Sequence, residues 1–379
     1  MLKADMLNQM LTKIVSSSLD VSKVRKLYMK KYQGSTGYAE MSVDGDSLSL
    51  KGSESLVESV FMATIIHHLT SLQEINMFEW LSVVSFPANC LPKSLQKLRI
   101  YNCSKMEFPE QQQQHKYDLV ELLVDSSCDS LASLSLDAFP NLKNLKIEWC
   151  SNLESISMSE TPHTALQSLT INDCPKVVSI TEGGLAAPNL THLNVSFCDK
   201  LEALPRKMDT LAPNLQSLDI EGCGGICRFP EGGLPPNLQK LYMKGYEGLL
   251  RSLSSMEKLE ALTHLVINGY ESRIKSFPEV GTLPHLPSLT NLSLSGFRNL
   301  ETLECDELLR LTSLQHLYID SCEKLENMAG GKLLSSLLLL QIEFCPLLEE
   351  GCKNKHQHIW PKIQHIPTIT VNGSGIFTK

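Results

Sequence analysis

Apolar residues recur along the chain in a pattern of nine positions. In LKNLKIEWC, residues 142–150, positions one, four, six and nine suit burial, and they hold Leu142, Leu145, Ile147 and Cys150. Side chains alternate between the two faces of a strand, so positions four and six share one face and positions three, five and seven share the other. The pattern predicts a short strand with one buried face and one solvent-facing face.

The nine-residue pattern is repeated at a nearly constant interval. Copies begin at residues 72, 95, 119, 142, 166, 190, 215, 238, 262, 289, 314 and 337, and successive starts are separated by 23 to 27 residues. A leucine pattern with this period is typical of leucine-rich repeats. We therefore predict an α/β leucine-rich-repeat solenoid, a curved open horseshoe whose parallel strands line the concave side. The segments between copies are rich in Pro and Gly, which predicts a mostly irregular convex side.

The period also divides the chain into regions. Residues 1–23 are predicted to form an N-terminal helix or cap, because their apolar residues keep a helical spacing. Residues 24–348 are predicted to form the solenoid, with degenerate copies before residue 72, one of which contains Leu48 and Leu50. Residues 349–379 are predicted to form a C-terminal cap and tail. The predicted strands, parallel and in register, are 97–101, 121–125, 144–148, 168–172, 192–196, 217–221, 240–244, 264–268, 291–295, 316–320 and 339–343.

Most cysteines follow the same periodicity. Because cysteine is small and readily buried, we interpret the position-nine cysteines as structural thiols in a reducing compartment. Disulfides are the alternative, but neighbouring position-nine side chains point alongside one another rather than at one another. The spacing of Cys345, Cys352, His356 and His358 is not that of a zinc finger, so no metal site is predicted. The position-nine cysteines are Cys103, Cys150, Cys174, Cys198, Cys223, Cys322 and Cys345.

Charge and motif content narrow the possible functions. The net charge of −8 argues against a surface that binds nucleic acid. The sequence has no run of about 18 apolar residues, so no membrane span is predicted. It also has no G-x-S-x-G, H-E-x-x-H or G-x-x-x-x-G-K-[ST] pattern, and we expect neither a catalytic site nor a cofactor.

Three features of the chain resemble the C-terminal leucine-rich repeats of plant intracellular nucleotide-binding disease-resistance proteins of the coiled-coil class. Phrases such as CSNLESI and CDKLEALP follow position nine, and phrases such as GGLPPNLQKL precede the next strand. The segment CPLLEEGCKNKHQHIWPKIQHIPTITVNG, residues 345–373, is similar to the closing segment of that family. The nucleotide-binding module of the family has no counterpart in this sequence.

The resemblance implies a non-catalytic, cytoplasmic protein-binding module of the plant defence response. The implied partners are pathogen effectors or modified host proteins, together with a nucleotide-binding ATPase module that the repeats would restrain. An F-box-type ubiquitin-ligase substrate receptor is the alternative, because cysteine at position nine also occurs in such repeats. A truncated product without independent function is a third hypothesis.

Positions three, five, seven and eight place aromatic and charged side chains on the concave face or its edge. Aromatic residues among mixed charges are typical of protein interfaces. Alternatively, the position-eight aromatics Trp149, Phe197 and Phe344 pack over the turn of the neighbouring coil. The predicted protein-binding residues are Lys97, Arg99, Tyr101, Lys146, Trp149, Tyr242, Lys244 and Tyr318.

Overall fold

The structure is a computed structural model in which the chain forms two compact units, divided after Thr181. The predicted helix over residues 1–23 lies outside the described residues. The structure describes residues 25–31, 38–43, 46–51, 70–79, 84–85, 91–108, 116–244, 247–256 and 259–376.

Within its described residues, the first unit consists of strands and one short 3-10 helix, Leu136–Ala138. Its strands are β1 Lys26–Lys31, β2 Tyr38–Val43, β3 Asp46–Lys51, β4 Glu74–Phe78, β5 Val84–Ser85, β6 Lys97–Tyr101, β7 Met106–Glu107, β8 Glu121–Asp125, β9 Ser133–Ser135, β10 Asn144–Glu148, β11 Ser155–Ser157, β12 Ser168–Asn172 and β13 Ser179–Ile180.

The repeat strands of the first unit pair in parallel, each with the strand of the following copy. The pairing runs from β1 to β4 and then through β6, β8 and β10 to β12. Position four lies opposite position four throughout, so Leu98, Leu122 and Leu145 form one row. The predicted strands and their parallel register are confirmed in this unit.

The segment that contains Leu48 and Leu50 differs from the sequence expectation. It belongs to β3, which pairs antiparallel with β2, and β2 pairs antiparallel with β1. Strand β1 pairs directly with β4, so no repeat strand lies between them in the sheet. The leucines alternate as they would in a repeat strand, but alternation alone does not fix the direction of pairing.

The second unit continues the repeat pattern, and its described residues form more short helices than those of the first unit. Its helices are Met208–Leu211, Glu247–Arg251, Cys305–Leu308, Pro346–Lys353 and Trp360–Ile363, with a 3-10 helix at Ser252–Ser255. Its strands are β14 His192–Ser196, β15 Ser217–Ile220, β16 Lys240–Lys244, β17 His264–Asn268, β18 Ser276–Phe277, β19 Asn291–Ser295, β20 Thr302–Glu304, β21 His316–Asp320, β22 Asn327–Ala329, β23 Leu339–Glu343, β24 Thr368–Val371 and β25 Ser374–Ile376.

The repeat strands of the second unit are also parallel and in register, from β14 through β15, β16, β17, β19, β21 and β23. Strand β24 adds one more parallel strand after β23, and β25 folds back antiparallel on it. The segment predicted as a cap therefore contributes to the sheet as well. A leucine-rich-repeat solenoid is the fold of each unit.

The return segments between repeat strands are more regular than their Pro and Gly content suggests. Strands β9, β11 and β13 form a small parallel sheet in the first unit, and β18, β20 and β22 form another in the second. Strands β5 and β7 form a parallel pair. The α-helices of the described chain are short, from 4 to 8 residues.

Buried apolar rows hold successive coils together. Positions four and six are almost completely buried in every described copy, for example Leu145 and Ile147 in the copy that begins at Leu142. Burying one such side chain contributes roughly 1.5–3 kcal/mol to stability. Because these rows run from coil to coil, each strand depends on its neighbours for its core.

Position eight turns the chain away from the sheet, and at every described position-eight residue from residue 72 onward except Gly269 the backbone is left-handed. Its φ is 55° at Trp149, 53° at Phe197 and 51° at Phe344. The position-eight N–H donates a hydrogen bond to the position-seven carbonyl of the next coil, at 3.0 Å from Trp149 N to Asn172 O and 2.8 Å from Phe197 N to Glu221 O. Positive φ also occurs at the position-eight residues Glu79, Asn102, Ser126, Asp173, Gly222, Gly296 and Ser321.

The closing segment ends this series of hydrogen bonds with a side chain. Asn372 Oδ1 accepts the Phe344 N–H at 3.0 Å, in place of a carbonyl from a further coil. Asn372 Nδ2 donates to Glu349 Oε2 at 2.7 Å, and Glu349 Oε1 accepts the Cys345 N–H at 2.8 Å. Because Glu349 is buried, these two donors satisfy a carboxylate that would otherwise be costly to bury.

The position-nine cysteines are buried free thiols. Each thiol lies near a backbone carbonyl of its own or the preceding coil; Cys223 Sγ, for example, is 3.1 Å from Val195 O. Cys128, one place further along its copy, is buried in the same way. Of the cysteines that the structure describes, only Cys227 is exposed. The burial predicted for the position-nine cysteines is therefore confirmed.

We expect a thiol reagent to label Cys227 in the native protein and to leave the position-nine cysteines unmodified. Burial excludes the reagent, and it raises the pKa of Cys150 to about 11 and that of Cys352 to about 12, which lowers the reactive thiolate fraction. Peptide mass spectrometry measures the labelling. Denaturation without a reductant should expose every thiol to the reagent, and a pair that stays unlabelled would contradict this account.

Candidate protein-binding face

Positions three, five and seven form the solvent face of the repeat sheet. The residues of β6 and β8 alternate strictly between half-buried and buried, with positions three, five and seven on the half-buried side. The side chains at these positions therefore face solvent, while the alternate side chains of the same strands pack into the core. The solvent face of each unit is the candidate binding site.

Arg99 is the centre of an ion-pair network on the first unit. Its Nη1 lies 2.8 Å from Glu74 Oε1 and its Nε lies 2.7 Å from Glu121 Oε1, so it bridges the strands on both sides. Lys97 Nζ lies 3.7 Å from Glu121 Oε2. Arg99 and Lys97 are both predicted binding residues. Each therefore forms its ion pairs with carboxylates of the sheet face itself.

The network holds the Glu74 carboxylate in the charged form. Partial burial alone would raise the pKa of Glu74, but the hydrogen bond from Asn76 and the charge of Arg99 outweigh it and keep the pKa below its ordinary value. The contribution of Glu74 to stability is therefore present above its unfolded-state pKa and is lost as pH falls through the folded-state pKa. Arg99 is mainly a positioning group that fixes the strand surface around Tyr101.

Tyr101 and Lys146 also have partners on the solvent face. The Tyr101 ring stacks on the Phe78 ring, with 4.8 Å between centroids and parallel planes. Lys146 Nζ lies 2.8 Å from Glu148 Oε2. Strand β8 lies between β6 and β10, so Arg99 and Lys146 are two strands apart, about 10 Å along the sheet. The structure brings this predicted set together on one face of the first unit.

Trp149 lies just beyond the end of β10 and is 59% exposed. A left-handed backbone conformation costs an L-residue roughly 1–2 kcal/mol, and the cost is smallest for glycine, asparagine and aspartate. Phe197, at the same position of another copy, lies over Gly222, where an added Cβ would come within 2.5 Å of the ring. Part of the Phe197 ring therefore packs over the neighbouring turn, whereas most of the Trp149 side-chain surface is exposed to solvent.

The predicted residues of the second unit lie in two environments. Tyr242 on β16 and Tyr318 on β21 both occupy position five, and the strands between them carry the smaller Val266 and Ser293. The two tyrosines therefore lie about 14 Å apart, and the smaller side chains between them leave a shallow depression in the sheet face. Lys244 is only 13% exposed in its side chain and lies 2.8 Å from Glu271 Oε1, so it offers little charge to a partner.

Sequence reasoning missed one set of residues on the second unit. Position three carries His192, Lys240, His264 and His316, on strands that pair in sequence from β14 to β21. Reading position three copy by copy would have revealed this row, because the register is residue for residue. Among the described residues, no group of three or more His, Cys, Asp or Glu side chains is arranged to hold a metal ion.

Comparison with known proteins agrees with the repeat pattern. No protein-family model matches the chain. The Arabidopsis thaliana disease resistance protein At3g14460 is 34% identical over 309 residues, which is 80% of this chain and 21% of that protein. Disease resistance protein RPP4 of the same plant is 25% identical over 79% of this chain and 24% of its own length. TMV resistance protein N of Nicotiana glutinosa is 29% identical over 39% of this chain and 13% of its own length.

The chain is a leucine-rich-repeat protein, and its homologues are plant disease-resistance proteins. It spans about a fifth of the length of At3g14460. A solved leucine-rich cell surface protein of Faecalibacterium prausnitzii matches 82% of the chain at 12% identity, but its TM-score of 0.19 is too low to support a conclusion. No helix within the described residues is long and apolar enough to cross a membrane.

Replacing Trp149 tests whether it is a packing residue. We expect Trp149→Gly to lower the free energy of unfolding by no more than about 1 kcal/mol, because relief of the left-handed strain offsets the lost contacts. Trp149→Ala loses the same contacts but keeps the strain, so it should be the less stable variant by about 1 kcal/mol. Urea denaturation measures both. A loss of about 3–5 kcal/mol in each variant would make Trp149 a core residue and contradict its assignment to the binding face.

Proposed function

We propose that the chain is a cytoplasmic, non-catalytic protein-binding module of plant defence. In this proposal its solvent face recognises pathogen effectors or modified host proteins and restrains a nucleotide-binding ATPase module. The observation that carries the proposal is the exposure of Trp149 in a costly backbone conformation, two strands from Tyr101, on a sheet where Arg99 and Lys146 are already paired. The homology to disease-resistance proteins supports the biological setting.

The chemistry of the solvent face suits a protein partner. Tyr and Trp are enriched among residues that dominate the binding energy of protein interfaces, because they bury a large area at a small entropic cost. Tyr101 is held by its stack on Phe78, so little freedom is lost when a partner covers it. The paired charges of Arg99 and Lys146 can remain paired under a partner, which limits the cost of burying them.

Restraint of an ATPase module would be an effect of binding rather than of chemistry. The sequence has no P-loop, so a nucleotide would be held by a separate module and not by the repeats themselves. Two partners compete for a repeat sheet when the residues that they contact overlap on one face. Binding of a pathogen product would then release the module by displacing it, since a ligand shifts an equilibrium only through differential affinity.

The proposal is tested by proximity labelling in leaves with the tagged chain, with and without pathogen challenge. We expect a reproducible set of labelled proteins that is lost in the double variant Tyr101→Ala, Trp149→Gly. The matched control is Val178→Ser with Val280→Ser, which changes exposed apolar residues of return segments. Identical labelling by wild type and by the face variant, with both variants folded, would refute a protein-binding role for this face.

A further inference from the structure

Position three of the second unit carries positive or protonatable side chains and no carboxylate. From β14 to β23 it reads His192, Ser217, Lys240, His264, Asn291, His316 and Leu339. Position seven, at the other edge of the same face, carries the carboxylates Glu221, Asp320 and Glu343, and its one cation, Lys244, is paired with Glu271. The solvent face of this unit is therefore polarised across its width.

Lys240 differs from the other predicted and observed cations of the repeat strands. Lys97, Arg99, Lys146 and Lys244 each lie within 4.0 Å of a carboxylate. Lys240 has no such ion pair with any residue that the structure describes. Its neighbours along position three are neutral or histidine, so no carboxylate of the described residues pairs with its charge.

We propose that His192, Lys240, His264 and His316, which we call the histidine row, bind an extended acidic segment of a partner protein. This inference rests on the proposed protein-binding function and gives the chemistry of one partner surface. A row without carboxylates attracts anions, and a carboxylate that approaches His264 favours the charged form of its ring. Carboxylates of the partner would supply the counter-charge that Lys240 lacks.

Proton uptake should accompany this binding. Strand β16 presents Lys240 towards His264, β19 presents the neutral Asn291, and β21 presents His316. Partial burial, followed by the charges of Lys240 and His316, lowers the pKa of His264. A bound carboxylate would offset those effects and raise this pKa again, so the complex would bind protons more readily than the free chain. Affinity should therefore increase as pH falls from about 7.5 to about 6.

The spacing of the row specifies the spacing of acids in the partner. His192 and Lys240 are two strands apart, Lys240 and His264 are adjacent, and His264 and His316 are two strands apart. Two strand spacings are about 10 Å. An extended polyproline-type chain has three residues per turn and advances about 9 Å in that turn. Acids three residues apart would therefore meet His192 and Lys240 together, or His264 and His316 together.

The test uses the purified full chain and a fluorescein-labelled synthetic peptide of about ten residues, with Glu at every third position between Ser and Pro. We expect saturable binding by fluorescence anisotropy, with a dissociation constant lower by about fivefold at pH 6 than at pH 7.5. Lys240→Gln should weaken binding about threefold at both pH values. The double variant His264→Gln, His316→Gln should keep the affinity at pH 7.5 and lose most of the pH dependence, since His192 remains.

Matched controls separate this row from charge in general. Lys200→Gln and His285→Gln remove exposed groups of return segments and should leave binding unchanged. A peptide of the same composition with its acids clustered at one end should bind more weakly. Absence of binding, equal effects from the control variants, or tighter binding of a single-stranded oligonucleotide at pH 7.5 would overturn the proposal. Partner labelling that still depends on Tyr101 and Trp149 would then leave the proposed function standing.

Discussion

One backbone constraint underlies the whole arrangement: each coil must leave the sheet at position eight while its N–H still bonds to the next coil. A left-handed conformation achieves both, and it occurs at Asn102, Ser126, Trp149 and Phe197 regardless of side chain. The turn directs position nine inward, where cysteine fits, and it starts the return segment. The buried rows at positions four and six then align, because every coil turns at the same point.

The same constraint separates the residues that fold the chain from those free to bind. Leucine and isoleucine rows close the core from one side of each strand, so the other side carries little of the apolar energy of folding. Polar contacts on that side are local, as in the network around Arg99. Trp149 lies at a turn where glycine or asparagine would be less strained. Because its ring is exposed, it contributes little to the stability of the fold.

Periodicity explains why the strands could be predicted from the sequence. Alternation at positions three to seven encodes which side chains are buried, and the interval between copies sets the register, so observed and predicted strands agree to within one residue, as at Ser217–Ile220. Pairing direction before residue 72 was not encoded in this way, and Leu48 and Leu50 belong to an antiparallel strand. The pattern also could not predict which side chains pair between coils. It placed Lys244 on the sheet face, whereas the structure shows Lys244 in an ion pair with Glu271 of the next copy.

Residue-resolved hydrogen exchange tests the central constraint most directly. The amides of Trp149 and Phe197 belong to turn residues, which ordinarily exchange quickly, but here each donates to a carbonyl of the next coil. The account predicts that both amides exchange as slowly as the strand amides of Leu145 and Leu193, because opening them requires separating two coils. Fast exchange at Trp149 and Phe197 alongside protected strands would contradict it, since the position-eight hydrogen bonds would then not join the coils.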